Sequence, residues 1–498
     1  MQALPISALL TSAKPLLSLR HVAPIVLGVA AGFLGTHLIL SLNWMLVLGL
    51  VVAIPAAVLL FRYPFFGFSL WLLLAPFLMA TDTIAERRVY WIIHRALPLL
   101  ILPVVAMKQG VIGRRLYWLG WPEAAMTGYV LASLASIVLR SEEALATSYL
   151  FYDRIISPMC LYFLIRLWQP DERDFRRLIP VVLFLAGTQS LIGILSWVGP
   201  QYLPADWLGH VGARTVGSLG SPSVYSVAML FAGGVLVHVA MNSTPGVMRV
   251  LYAGMATLAF LGVFLSLSRA CWLAGLLVLA GLVALYPRQL IRFGLCAVPV
   301  VLIAGGVFFT THRDMVKERL YSAESERSAI ARLPVYLAGI RMFLAHPFTG
   351  WGYGNFDRYD REFQGRMGDL ADDNKDHASH NFYVTLVAEQ GLLGLVLFLG
   401  PVISWLRLTR RRWPKLNSAG LWSRKLLGML WLSLLAHVVV NNFSNMRVVF
   451  GLGLWWVTLG LIATLVASLG TSPQNRESAE PANPPTPGLR AAERLRSL

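Results

Sequence analysis

Three basic side chains stand where apolar runs begin or turn: Arg214 in "GARTVGSLGSPSVYSVAML", Arg269 in "SLSRACWLA" and His380 in "SHNFYVTLVAEQGLLG". An arginine near hydrocarbon costs roughly 2.5 to 3.5 kcal/mol even on the lenient insertion scale. Arg269, in a hinge of a few residues between two apolar runs, therefore calls for an anionic partner or a water-filled cavity, unless it snorkels to the headgroups. Histidine, with an ordinary pKa near 6.5, suits His380 to proton transfer. Asp376, His377 and His380 are close enough in sequence to ligate a metal instead. Against that reading, the arginines already supply the charge a metal would, and no matching acidic pair stands in another outer segment. His377 otherwise reads as a solvated loop residue.

The elements that must hold these groups are membrane helices. The chain has 498 residues, 56% hydrophobic and 13% charged, with a mean hydropathy of +0.63. A soluble globular chain carries about a quarter charged residues. Runs long enough to cross roughly 30 Å of hydrocarbon as helix recur from Val22 to near Ala467, about fourteen in all. They fall at 22–40, 43–61, 65–81, 91–107, 122–139, 147–168, 178–198, 222–242, 247–267, 270–286, 292–310, 382–406, 426–441 and 447–468. The net charge of +17 reflects topology rather than nucleic acid. Short basic loops stay in the cytoplasm, and Lys108 to Arg115, "RLWQPDERDFRR", "PRQLIR" and "RLTRRRWPK" fall on alternate turns. Both termini are then inside. Outside are the loops around Arg87, Ser141 and Arg214, and the long stretch 311–381, which brings Arg214, Arg269 and His380 to one face.

The expected organisation is 1–198, amino-terminal spans; 199–310, spans carrying the arginines; 311–381, a large outer loop; 382–468, carboxy-terminal spans; and 469–498, a disordered cytoplasmic tail rich in Pro, Ala and charge. No cleavable signal peptide is read, and the first span is expected to serve as its own insertion signal. Cys160, Cys271 and Cys296 sit in expected spans without metal-ligand spacing and read as apolar core. Within the outer loop, "SERSAIARLPVYLAGIRMFLAHP" predicts a helix on the membrane surface. Ser325 or Ser328 would cap it, Ile330, Leu333, Leu337, Ile340 and Phe343 would form its stripe, and Pro347 would close it.

"FTGWGYGNF" follows, with glycines at 350, 352 and 354. No Gly-Lys-Ser/Thr succeeds it, which excludes a nucleotide phosphate loop. The glycines permit a tight re-entry turn against the helices, or else cradle a ligand phosphate through backbone N–H groups. Glu389 lies about 13 Å along a helix from His380, too far to orient it. It is expected to pair with a polar group inside the bundle, with Gly391 and Gly394 allowing close packing. His94, Arg95, Asp153 and Arg154 lie one or two turns below the outer surface. They either pair with one another to fix helix packing or line a substrate cavity.

Taken together, "RTVGSLGSP", "LSLSRACWLA", "HPFTGWGYGNF" and "SHNFYVTLVAEQGLLG" resemble the O-antigen ligase and polymerase superfamily of bacterial envelopes, over roughly residues 200–400. Ser223 and Ala270 stand where that family tends to have Asn and Gly. The resemblance implies an all-α polytopic, GT-C-like glycosyltransferase of the inner membrane with its active site facing the periplasm. Its donor would be a glycan on undecaprenyl diphosphate, and its acceptor a glycan or lipid A core. Metal, cofactor and nucleic acid play no part in this expectation. The residues fit the chemistry independently. Cleaving a sugar-diphosphate bond leaves charge on the lipid diphosphate, which Arg214 and Arg269 suit as planar donors, and His380 suits the acceptor hydroxyl as base in an inverting displacement. Arg332, upstream of "HPFTGWG", resembles the family's loop arginine and ranks above Arg341. Arg95, Arg154 and Asn381 are candidate cavity-lining residues. The competing function is a transporter or flippase of lipid-linked glycan. Against it, no inverted symmetry with broken helices is apparent, and the polar residues gather at the outer face rather than the midplane.

Overall fold

A computed structural model describes residues 64–78, 84–111, 120–208, 214–291, 332–365 and 379–468, with isolated positions at 55–63 and 303–314. The chain divides into Met1–Tyr63 and Pro64–Leu498. In the first unit a helical turn is described, with Tyr63 N donating to Leu59 O. The second holds all the elements named here: α1 Pro64–Leu74, α2 Ile84–Trp91, α3 Leu97–Val111, α4 Trp121–Arg140, α5 Ala144–Phe151, α6 Ser157–Trp168, α7 Glu172–Val198, α8 Pro222–Asn242, α9 Val247–Leu265, α10 Arg269–Leu285, α11 Arg332–Ala345, α12 Phe356–Gln364, α13 Phe382–Arg412, α14 Arg424–Asn441 and α15 Val449–Ala467.

Among the described residues the structure is all helical with no strand, and eight helices are long and apolar enough to cross a membrane. Two shorter apolar helices, Pro64–Leu78 and α10, accompany them. Every expected span on described residues coincides with a helix, while that at 22–40, and most of 43–61 and 292–310, lie outside them. So do the caps Ser325 and Ser328, the metal candidates Asp376 and His377, Cys296 and the tail.

Burial sorts the spans into centre and rim. The apolar windows of α8 and α15 are 94% and 100% buried, whereas that of α9 is 22% buried. A helix apolar on all sides must sit inside others, and α15 lies among α6, α8, α13 and α14. Gly453 permits this, since a side chain there would meet the indole of Trp71. On the rim, Leu131, Val138, Val250 and Leu276 are exposed, as expected of side chains facing hydrocarbon. Cys160 and Cys271 are buried free thiols.

The helix α11 packs on protein with a different face from the apolar stripe read in its sequence. Pro334, Val335, Ala338, Gly339 and Met342 form its buried face. They pack on α12 and α13, because Gly339 lets Val384 and Phe356 approach its backbone. The larger Leu333 remains exposed and Leu337, Ile340 and Phe343 are half-buried. Small residues win the protein contact; the bulky ones face outward.

Candidate functional site

His380 occupies a turn built to hold it. It has φ +49°, in the left-handed region that non-glycine residues rarely enter. The residues on either side fix that conformation. Asn381 caps α13, its Oδ1 accepting from Tyr383 N at 2.9 Å and Val384 N at 3.0 Å. The Asn381 amide Nδ2 donates to Asn442 O at 3.1 Å. Ser379 Oγ donates to Asn381 O at 2.9 Å and is bonded to Thr385 Oγ1 at 2.5 Å. Asn381, expected as a cavity-lining residue, thus spends its amide on the cap and on the α14–α15 loop, and it is 7% exposed.

Arg269 is the first residue of α10 and exposed, after a turn in which Leu267 is also left-handed, at φ +46°. Arg214 is half-buried; Thr215 N donates to Leu265 O at 3.4 Å, tying its segment to the end of α9. The Arg214 charge reaches Cys271 of α10. The two arginines therefore border the same pair of helix ends.

Packing brings the histidine to that end as well. α10 and α14 run antiparallel, with Gly428 against Leu285 and Gly281 against Leu432. The Arg269 end of α10 is therefore the Asn442 end of α14, and Asn442 O is where Asn381 anchors. Arg332, at the start of α11, is half-buried, and burial pulls its guanidinium below the usual value. Arg341 instead donates to Phe363 O at 2.7 Å and Gln364 O at 3.1 Å, closing the end of α12.

The glycine motif makes a re-entry turn. α13 breaks at Gly391, φ +63°. The carbonyls freed there accept from the turn, Trp351 N to Ala388 O at 3.0 Å and Gly352 N to Glu389 O at 2.7 Å. The freed amides donate back, Leu392 N to Pro347 O at 2.8 Å and Leu393 N to Phe348 O at 3.1 Å. Four backbone groups left open by the break are satisfied by a segment about 40 residues earlier in the chain. Gly350, φ +61°, lies so close that a side chain would overlap the backbone of Glu389 and Gln390.

Two arginines that sequence reasoning passed over complete this corner. Arg140, at the end of α4, donates to Gly350 O and to Thr349 Oγ1, the latter at 3.0 Å. Arg447 meets Glu389 in a bidentate ion pair of 3.1 and 2.6 Å, with both side chains nearly sealed from solvent, and lies over the Tyr353 ring. Glu389 is the partner-seeking acid expected; the signal for Arg447 was its position at the lip of the last span.

The intramembrane quartet divides. Arg95 Nε donates to Asp153 Oδ1 at 2.5 Å and its Nη1 to Tyr149 Oη. His94 Nε2 is bonded to Ala75 O at 3.1 Å. Both sequences lie in π-helical turns, Ile92–Ala96 and Tyr152–Ile156, facing each other. Arg154 is half-buried and has no hydrogen bond or ion pair among the described residues; its charge reaches Tyr353 and Asp357 near the glycine turn, and Tyr90 of α2.

No curated protein matches the chain. Residues 254–399 match the family described as O-antigen ligase, a stretch that holds Arg269, Arg332, the glycine turn, His380 and the Gly391 break. Over that stretch the chain is similar to the O-antigen ligase family, in keeping with the resemblance read from its motifs.

Proposed function

We propose that the protein transfers or polymerises a glycan from undecaprenyl diphosphate onto an acceptor hydroxyl at the periplasmic face of the inner membrane, on a GT-C-like bundle. His380 takes the hydroxyl proton as the oxygen attacks the anomeric carbon. The carbon–oxygen bond to the diphosphate breaks with inversion. Arg214, Arg269 and Arg332 hold the charge left on the lipid diphosphate, their planar donors matching its oxygens. The observation that carries this reading is backbone strain. Among the described residues only Gln169, Leu267 and His380 are non-glycine with positive φ. One is the candidate base and another lies two residues before a candidate arginine, and strain of this kind persists where surrounding structure holds it for function.

Replacing His380 with Ala removes a base worth about 10² to 10⁴ in rate. The variant should insert with an unchanged melting temperature, glycan product should disappear, and lipid-linked glycan should accumulate on the outer leaflet. Arg269→Lys should impair transfer too, since lysine keeps charge and loses the fork. Lipid-linked glycan trapped on the inner leaflet would establish the transporter alternative instead. Activity lost in excess EDTA and restored by Mg²⁺ or Mn²⁺ would favour Asp376, His377 and His380 as metal ligands.

A further inference from the structure

At the opposite end of the bundle, the ends of α4, α6 and α13 enclose a cleft of about 480 Å³. Its floor is an ion pair, Arg166 Nε donating to Glu123 Oε1 at 3.1 Å. Arg166 is 7% exposed and Glu123 1%. Glu123 is fully used. Oε1 also accepts from Tyr162 Oη at 2.8 Å, and Oε2 accepts from Gly120 N at 3.2 Å. The Arg166 guanidinium lies over the Trp405 ring, whose Nε1 donates to Tyr162 Oη at 2.9 Å. The floor is thus rigid, and its one carboxylate is already spent.

The wall is cationic. Arg407 and Arg411, one helical turn apart on α13, are exposed and line the cleft. Neither makes a hydrogen bond or ion pair among the described residues. Like charges at this spacing repel unless an anion lies between them. The basic run is not uniform: Arg412 donates to Val466 O at 2.7 Å and closes α15, and Arg410 does not line the cleft. Three guanidiniums against one committed carboxylate leave a net positive hollow with forked donors, which suits phosphate oxygens.

The surroundings specify the bearer of that phosphate. Trp121, 66% exposed, stands beside Gly120 and Pro122 of the cleft wall, and Leu131 on the same helix is 63% exposed. An exposed indole next in sequence to the cleft wall, with an exposed leucine further along the same helix, suits a headgroup whose acyl chains run alongside the bundle. By the charge rule this end of the bundle faces the anionic cytoplasmic leaflet. We propose that the cleft binds the phosphate of an anionic glycerophospholipid, at a site separate from the glycan chemistry.

The test is native mass spectrometry of the full chain titrated with phosphatidylglycerol or phosphatidylcholine. Phosphatidylglycerol should bind about tenfold tighter or better, and Arg407→Gln/Arg411→Gln should lose about tenfold or more of that affinity. Arg407→Lys/Arg411→Lys, which keeps charge, should fall between. Arg410→Gln removes one equal charge outside the cleft and should bind within about twofold of wild type. The proposal fails if the glutamine pair binds as wild type, if Arg410→Gln costs as much as Arg407→Gln alone, or if both lipids bind alike. Displacement of phosphatidylglycerol by inorganic phosphate at comparable concentration would reassign the site to free phosphate and overturn the lipid.

Discussion

Two interruptions of membrane helices stand near the candidate site, and they are closed in different ways. At Gly391 the broken ladder of α13 is completed by main chain from the 347–352 turn, four backbone hydrogen bonds in all. At Ile92–Ala96 and Tyr152–Ile156 two π turns face each other and are closed by side chains. Tyr152 Oη donates to Arg95 O at 3.0 Å, Ser157 Oγ to His94 O at 2.5 Å, and Arg95 pairs with Asp153. Main-chain closure leaves no room for a Cβ and no free functional group. Side-chain closure concentrates charge, and one of its cations, Arg154, is left over for another task.

The largest expected effect comes from filling the main-chain junction. Gly391→Ala forces a left-handed alanine whose Cβ overlaps the backbone of Phe348 and Thr349. The cost should exceed about 5 kcal/mol, enough to abolish monodisperse protein on size-exclusion chromatography. Gly400→Ala is the control, since its new methyl meets only Ala125 Cβ at 3.7 Å, an ordinary contact. A Gly391→Ala protein that melts with wild type would show that the junction does not hold the break.

Next in size is the ion pair beneath the junction. Glu389→Ala leaves Arg447 charged and buried, a loss of about 3–5 kcal/mol. Glu389→Leu/Arg447→Met should recover most of it, because removing both charges removes the desolvation they share. If the double variant melts no higher than the single, Glu389 acts through something other than Arg447.

Among the described residues the expected spans fall on helices because hydrocarbon thickness sets a minimum apolar length, which is legible in sequence. Glu389 was legible as an acid in need of a partner, and the glycines as a re-entry turn, since both follow from local chemistry. What they meet was not. Gly350 and Gly391 each announce an unusual φ, yet nothing in either segment says that one turn completes the other. Arg140 lies in sequence just past the expected span 122–139, and only its contact with Gly350 O makes it a clamp. The π turns carry no composition that marks an extra residue. The helix α11 follows from the spacing of its apolar residues, but its packed face, with Ala338 and Gly339, was not legible, because close approach to α12 and α13 depends on segments far along the chain.

The side-chain junction should yield less than the main-chain one. Arg95→Gln removes the bond to Asp153 and leaves that carboxylate, 12% exposed, without its cation. A loss of about 1–3 kcal/mol is expected, read as a lower melting temperature, with partial recovery in Arg95→Gln/Asp153→Asn. No recovery would mean that Arg95 stabilises through the Tyr90 and Tyr149 rings it covers rather than through Asp153.

Arg154 sharpens the comparison at its smallest stability effect. It neighbours Asp153 in the same π turn and is half-buried, but no ion pair or hydrogen bond in the described residues depends on it. Arg154→Gln should therefore change stability by no more than about 0.5 kcal/mol. Its charge reaches Tyr353 and Asp357 of the 350–357 segment as well as Tyr90 of the helix pair, so it stands between the π turns and the glycine turn. If it meets an anionic substrate there, transfer should fall by about tenfold, the worth of one charge-assisted contact, at an unchanged melting temperature. Two outcomes break the contrast. A melting temperature as low as that of Arg95→Gln would make Arg154 part of the packing, and wild-type transfer would leave the side-chain junction as purely structural as the one at Gly391.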